Sequence, residues 1–134
     1  MTDRQWGILN EIVKGDYTGS PVAGFIIDCP WLPAWHGISI LDYFTNDQSW
    51  LKANLNAMET FPDVIFLPGF WSEYGMCTEP SAFGAKTVFW KNEFPFANKI
   101  INSSEDIYAM EIPDPEIDGL LPFMLNRISL RPLG

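Results

Sequence analysis

Between Phe70 and Pro80 the chain reads Phe-Trp-Ser-Glu-Tyr-Gly-Met-Cys-Thr-Glu-Pro, setting two carboxylates among large aromatic side chains. A carboxyl group surrounded by aromatic rings loses hydration, which raises its pKa and suits it to acid-base work near neutral pH. Glu73 lies inside this patch and reads as a catalytic acid or base, against the plainer reading of a solvated turn charge. Glu79 precedes Pro80 and reads as exposed. A second stretch, Asp28-Cys29-Pro30-Trp31-Leu32-Pro33-Ala34-Trp35-His36, carries a similar mixture. Asp28 reads as the second catalytic carboxylate or as a cap on its own loop amides. Trp31, Trp35, His36, Trp71 and Tyr74 read as substrate-binding groups, because aromatic walls with a few polar atoms describe a small-molecule pocket. Core packing beneath loops is the alternative for the aromatic members. His36 is the chain's single histidine and no GxSxG elbow accompanies it, so a catalytic triad is not expected. His36 either bonds a ligand or satisfies a backbone carbonyl. Met76 and Cys77 read as packing residues, and Cys77 has no nearby second and third ligands for zinc.

The elements that would carry these groups follow from the apolar pattern. Asp63 to Leu67, opened by Pro62 and closed by Pro68-Gly69, is a continuous apolar run, as is Val22 to Ile27. Both read as strands buried on two faces, parallel and adjacent, delivering their loops to one site at their carboxyl ends. Thr45 and Gln48 are spaced as a capping box for a helix running to Phe61, with Leu51, Leu55 and Met58 as a stripe that Trp50, Ala57 and Phe61 broaden, and this helix would link the strands in a right-handed crossover. Pro30 and Pro33 make residues 28 to 39 an irregular loop. Thr2 to Lys14 forms a leading helix whose apolar face holds Trp6, Ile8, Leu9, Ile12 and Val13. Ala85 to Trp90 and Phe94 to Phe96 read as a hairpin flap over the site, Ser103 with Asp106 and Asp114 with Asp118 as helix starts, and Pro122 to Leu130 as a last helix.

The strand DVIFLP, the polar turn, the segment EPSAFGAKTVFW, a Ser-Glu-Asp helix start and the phrase IPDPE follow one another in an order that resembles the N-terminal part of the uroporphyrinogen decarboxylase superfamily, which also holds corrinoid-dependent methyltransferases. The similarity covers roughly Val22 onward. It implies an α/β fold: the N-terminal part of a (β/α)8 barrel, with a leading helix and loop over 1 to 21, the first βα units over 22 to 134, and a β-hairpin insertion. A complete barrel takes about 250 residues, so the chain of 134 residues would be a single partial domain, inactive alone, ending mid-fold. A complete small α/β domain is the other reading. The arginines with which decarboxylases read porphyrinogen carboxylates fall here on Ile26, Asp28 or Pro30, and their aspartate falls on Pro68, Gly69 or Phe70. The resemblance therefore implies a methyltransferase-like enzyme first, with the decarboxylase of porphyrin biosynthesis and a non-catalytic ligand-binding barrel as alternatives. It places no cofactor in this stretch, and allows zinc, a corrinoid and a corrinoid protein as partner for the full-length protein.

Composition narrows the partners. A net charge of −9 and only eight Lys and Arg leave no clustered basic surface, so neither nucleic acid nor an anionic membrane is expected to bind. No apolar run approaches the roughly 20 residues of a membrane span, and the N-terminus lacks a signal-peptide layout, which points to a cytoplasmic protein acting on a small molecule. Cys29 and Cys77 do not make a disulfide framework.

Overall fold

A computed structural model describes residues 1–26, 31–67 and 69–130. It is a mixed α/β structure, about half helical with a few short strands, and the described residues form no closed barrel. Asp28 and Cys29 lie outside them.

The chain opens with α1 (Asp3–Lys14), capped reciprocally by Thr2 and Gln5 and stopped by Gly15 in the left-handed region. The inward face differs from the apolar stripe of the sequence. Gln5 is the buried residue of α1, whereas Trp6, Ile12 and Val13 remain exposed. Gln5 Nε2 donates to the Val64 carbonyl at 2.8 Å and lies within reach of the Pro62 carbonyl and of the Phe61 carbonyl, which also accepts from Val64 N, so one amide ties α1 to the helix-to-strand junction.

β1 (Ala23–Ile26) pairs in parallel with β2 (Val64–Leu67), in register from Ala23 opposite Val64 to Ile26 opposite Leu67. Parallel pairing matches the expectation; burial on both faces does not. Ile65 and Phe66 are buried, but all of β1 is exposed, with Phe25 at 49% and Ile26 at 72%. The apolar run of β1 marks a strand suited to burial that no described element covers.

Three helices separate the strands: α2 (Trp31–His36), α3 (Ile40–Thr45) and α4 (Asp47–Thr60). The irregular loop expected around the prolines is thus corrected. Pro33 stands in the first turn of α2, where no intrahelical donor is needed, so the ring costs the helix nothing. The cap of α4 also moves by one residue. Asn46 Oδ1 accepts from Ser49 N at 3.0 Å, while the Thr45 hydroxyl bonds back to the Leu41 carbonyl at the end of α3. The fully buried face of α4 is Trp50, Ala53, Asn54 and Ala57, and Leu51, Leu55 and Met58 sit at its half-buried margin. Two alanines at the centre let α2 and α3 approach closely, and Leu32, Tyr43 and Phe44 fill the contact to make the core with Phe66 and Tyr74.

After β2, a short 3₁₀ turn (Gly75–Cys77) leads into α5 (Thr78–Ala82). Gly75 has φ +61 and Phe94 lies against the place a Cβ would take, so no other residue fits that turn without strain. β3 (Thr87–Val88) and β4 (Phe96–Ala97) form the expected antiparallel hairpin, though shorter. α6 (Ser104–Tyr108) carries the Ser103/Asp106 capping box, and α7 (Leu121–Leu130) closes the described chain.

Candidate functional site

Because α4 ends just before β2 begins, its first turn lies beside the residues that follow β2. Trp50 Nε1 donates to the Trp71 carbonyl at 2.8 Å, and its ring meets Phe70 edge-on. α7 reaches the same place with Phe123, Asn126 and Arg127. The Arg127 guanidinium, with no solvent exposure, donates through Nε to Asp47 Oδ1 at 2.8 Å and through one terminal nitrogen to the Tyr43 and Phe44 carbonyls at 3.1 and 2.7 Å. Its carbon lies 4.0 Å from the centre of the Tyr74 ring and 5.1 Å from that of Trp50. Guanidinium is planar and weakly hydrated, so two aromatic faces and the carbonyls at the end of α3 stand in for part of its water. The other terminal nitrogen is buried with no hydrogen-bond partner among the described residues.

Tyr74 is the predicted site residue most altered by this setting. Burial pushes its phenol up from 10.0 to about 12, Arg127 pulls the other way, and Asp47 adds to the rise through its charge and a 3.4 Å hydrogen bond. The phenol is therefore a hydrogen-bond donor at neutral pH and no base. Asp47 is shared by three partners, since Asn126 also donates to its second oxygen at 2.9 Å. Trp71 is half-buried, and its indole N–H has no hydrogen-bond partner among the described residues. Glu73 is half-buried between buried Ser72 and Tyr74.

The remaining predicted residues gather at the other end of α4. Trp31 and Trp35 stack with ring centres 5.6 Å apart, both tilt against Phe61, and the His36 ring nitrogen Nδ1 lies 3.2 Å from the Asn56 amide. His36 lines a shallow groove with Gln48, Lys52 and Glu59 on the outer side of α4. At about 1.5 Å per residue, Asn56 is roughly 13 Å along the helix from Asp47, and Phe61 farther still. The single cleft expected from sequence is thus two clusters: Trp71, Glu73 and Tyr74 at the start of α4, and Trp31, Trp35 and His36 toward its end. Asp28 belongs to the residues outside the description.

Sequence reasoning missed Arg127 and Asp47. The available signal was a lone cation in the apolar segment Leu121–Leu130, since arginine is almost never fully buried unless paired. Asp47 was read only as part of a helix start. Cys77 is buried, and burial raises its thiol pKa, which fits the packing role read from sequence. No group of three or more His, Cys, Asp or Glu among the described residues could hold a metal ion, and no described helix is long and apolar enough to cross a membrane. Comparison with protein-family models, with curated proteins and with solved structures found no match.

Proposed function

We propose that this chain is the N-terminal part of an enzyme of the uroporphyrinogen decarboxylase superfamily, with corrinoid-dependent methyl transfer as the better reading of its chemistry. The observation that carries this is the parallel pairing of β1 with β2 across a helical crossover, with Trp71, Glu73 and Tyr74 directly after the carboxyl end of β2. In α/β barrels and open parallel sheets that end is where ligands bind. The exposed β1 supports the larger architecture, because further strands and helices of a barrel would cover Phe25 and Ile26.

Charge separates the two chemistries. A polycarboxylate porphyrinogen needs free cations, because an unpaired carboxylate is strongly penalised on burial. Among the described residues, the guanidinium at this end is that of Arg127, which is bonded to Asp47 and two carbonyls and has no exposed surface. Glu73, by contrast, adds a carboxylate. In the methyl-transfer reading the aromatic side chains exclude water, the Tyr74 phenol stays bonded to Asp47 in the wall of the site, and Glu73 moves a proton at the acceptor. The described residues assemble no zinc site.

The test uses a longer protein that contains this chain, incubated with methylcobalamin and a thiol acceptor while loss of the methyl–cobalt absorbance is followed. Thiol-dependent demethylation is expected, slowed by roughly 10²-fold or more in Glu73→Gln, the range for loss of a general acid or base. Conversion of uroporphyrinogen to coproporphyrinogen by the same preparation would overturn the assignment in favour of the decarboxylase.

A further inference from the structure

Beyond the clusters on α4, the described residues form a long trough between α5, β4 and the strand-like segment that follows it. Its apolar part, about 650 Å³ and open to solvent, is lined by Met76, Phe83, Phe96, Ile101 and Met110. An adjoining hollow of about 430 Å³ shares Phe83, Ile100 and Met110 with it and carries Asp106, Glu111 and Asp118. The three shared residues place the two hollows side by side. Apolar and anionic surfaces thus lie end to end, with Glu79 on the apolar side and Lys99 the one cation among the lining residues.

We propose that this trough receives a peptide segment of a partner protein, its bulky apolar side chains lying in the apolar part and its basic side chains over Asp106, Glu111 and Asp118. Side chains such as Met76 at 80%, Phe96 at 48% and Ile101 at 39% exposure form an apolar strip rimmed by carboxylates, the character of an interaction surface. Two methionines in the lining suit a binding groove, because the unbranched thioether adapts to different apolar partners. The Asp106 charge at the far end is permanent near neutral pH. Backbone amides of Asn102 and Ser103 hold the Asp106 carboxyl below its usual range, and that carboxylate still presents lone pairs to a cation. The net charge of −9 favours approach of a basic segment over an acidic one.

The experiment titrates the whole chain, labelled at its methionine methyl groups, with three synthetic peptides: one with leucine and phenylalanine anchors followed by lysines, one with glutamates replacing the lysines, and one with serines replacing the anchors. The lysine peptide is expected to move the Met76 and Met110 signals and leave Met1 and Met58 unmoved, with affinity falling as salt rises. It is expected to bind roughly tenfold more tightly than the glutamate peptide, as complementary charge at a partly exposed rim provides. Met76→Glu and Glu111→Lys, both at exposed positions, should each weaken it without altering the circular dichroism spectrum. Equal affinity for the lysine and glutamate peptides, shifts spread over all methionines, or indifference to both substitutions would overturn the proposal. So would binding of dodecyltrimethylammonium as a monomer while the lysine peptide fails, because the trough would then be a small-molecule site.

Discussion

The two ends of α4 carry the predicted aromatic side chains in opposite physical states. At its start, Trp50, Tyr74 and Arg127 are buried, and the guanidinium is bonded to Asp47 and two carbonyls. Toward its end, Trp31 is 44% exposed, Trp35 is half-buried, and His36 contacts an exposed Asn56. Similar residue types therefore do different jobs. The first end is held by a buried charge that cannot be removed without leaving partners unpaired, whereas the second is a surface stack that adds modest packing energy and keeps a face free.

The largest expected contrast comes from Arg127→Ala. Asp47 is 26% exposed and keeps its bonds from Asn126 and Tyr74, so the loss should be about 3 kcal/mol, the low end for breaking a buried ion pair, and urea denaturation should show it as a matching drop in unfolding free energy. A drop no larger than that of a surface charge would mean that the guanidinium is not the tie between α7 and the ends of α3 and α4.

The next effect depends on pH. The Tyr74 phenol keeps its proton to about 12 in the folded chain and to 10.0 when unfolded. Between those limits the unfolded chain releases a proton that the folded chain retains, so stability is intact below about pH 10 and declines as pH rises to about 12, by on the order of 2 kcal/mol. Across that window denaturation curves should show the native chain losing stability relative to Tyr74→Phe by the same amount, because burial penalises the phenolate. Parallel curves would show that the phenol is not held in a dry site.

At the other end the effects are smaller. Trp31→Ala removes a half-exposed stacked ring and should cost about 1 kcal/mol beyond lost area, typical of an aromatic pair. A loss as large as that from Arg127→Ala would erase the distinction between the two ends. His36→Ala breaks one exposed hydrogen bond and should stay within about 0.5 kcal/mol in the same assay. The His36 substitution is also expected to leave methyl-transfer activity intact if chemistry belongs to the start of α4, and a loss of activity with unchanged stability would shift the site toward Trp31 and Trp35.

Much of the local structure was already written in the chain. The spacing of apolar residues in α4, the Ser103/Asp106 box of α6, the run Val64–Leu67 and the hairpin signals depend on neighbours a few residues apart, and such short-range preferences survive in the fold. Parallel pairing of β1 with β2 was also readable, because an intervening helical segment leaves the two strands a parallel crossover as the usual solution. Tertiary structure decided what local signals leave open. Pro33 became part of a helix because its missing donor fell in a first turn, and Gln5 turned inward because the junction before β2 offered carbonyls to its amide. It also divided the expected cleft, since α2 packs Trp31, Trp35 and His36 against Phe61 and Asn56 toward the end of α4, while the residues after β2 meet its first turn. Arg127 joined Tyr74 across more than fifty positions, and no spacing rule links residues that far apart. Only the packing of α7 against the start of α4 brings a cation, a carboxylate and two aromatic faces together, where their mutual desolvation sets their chemistry.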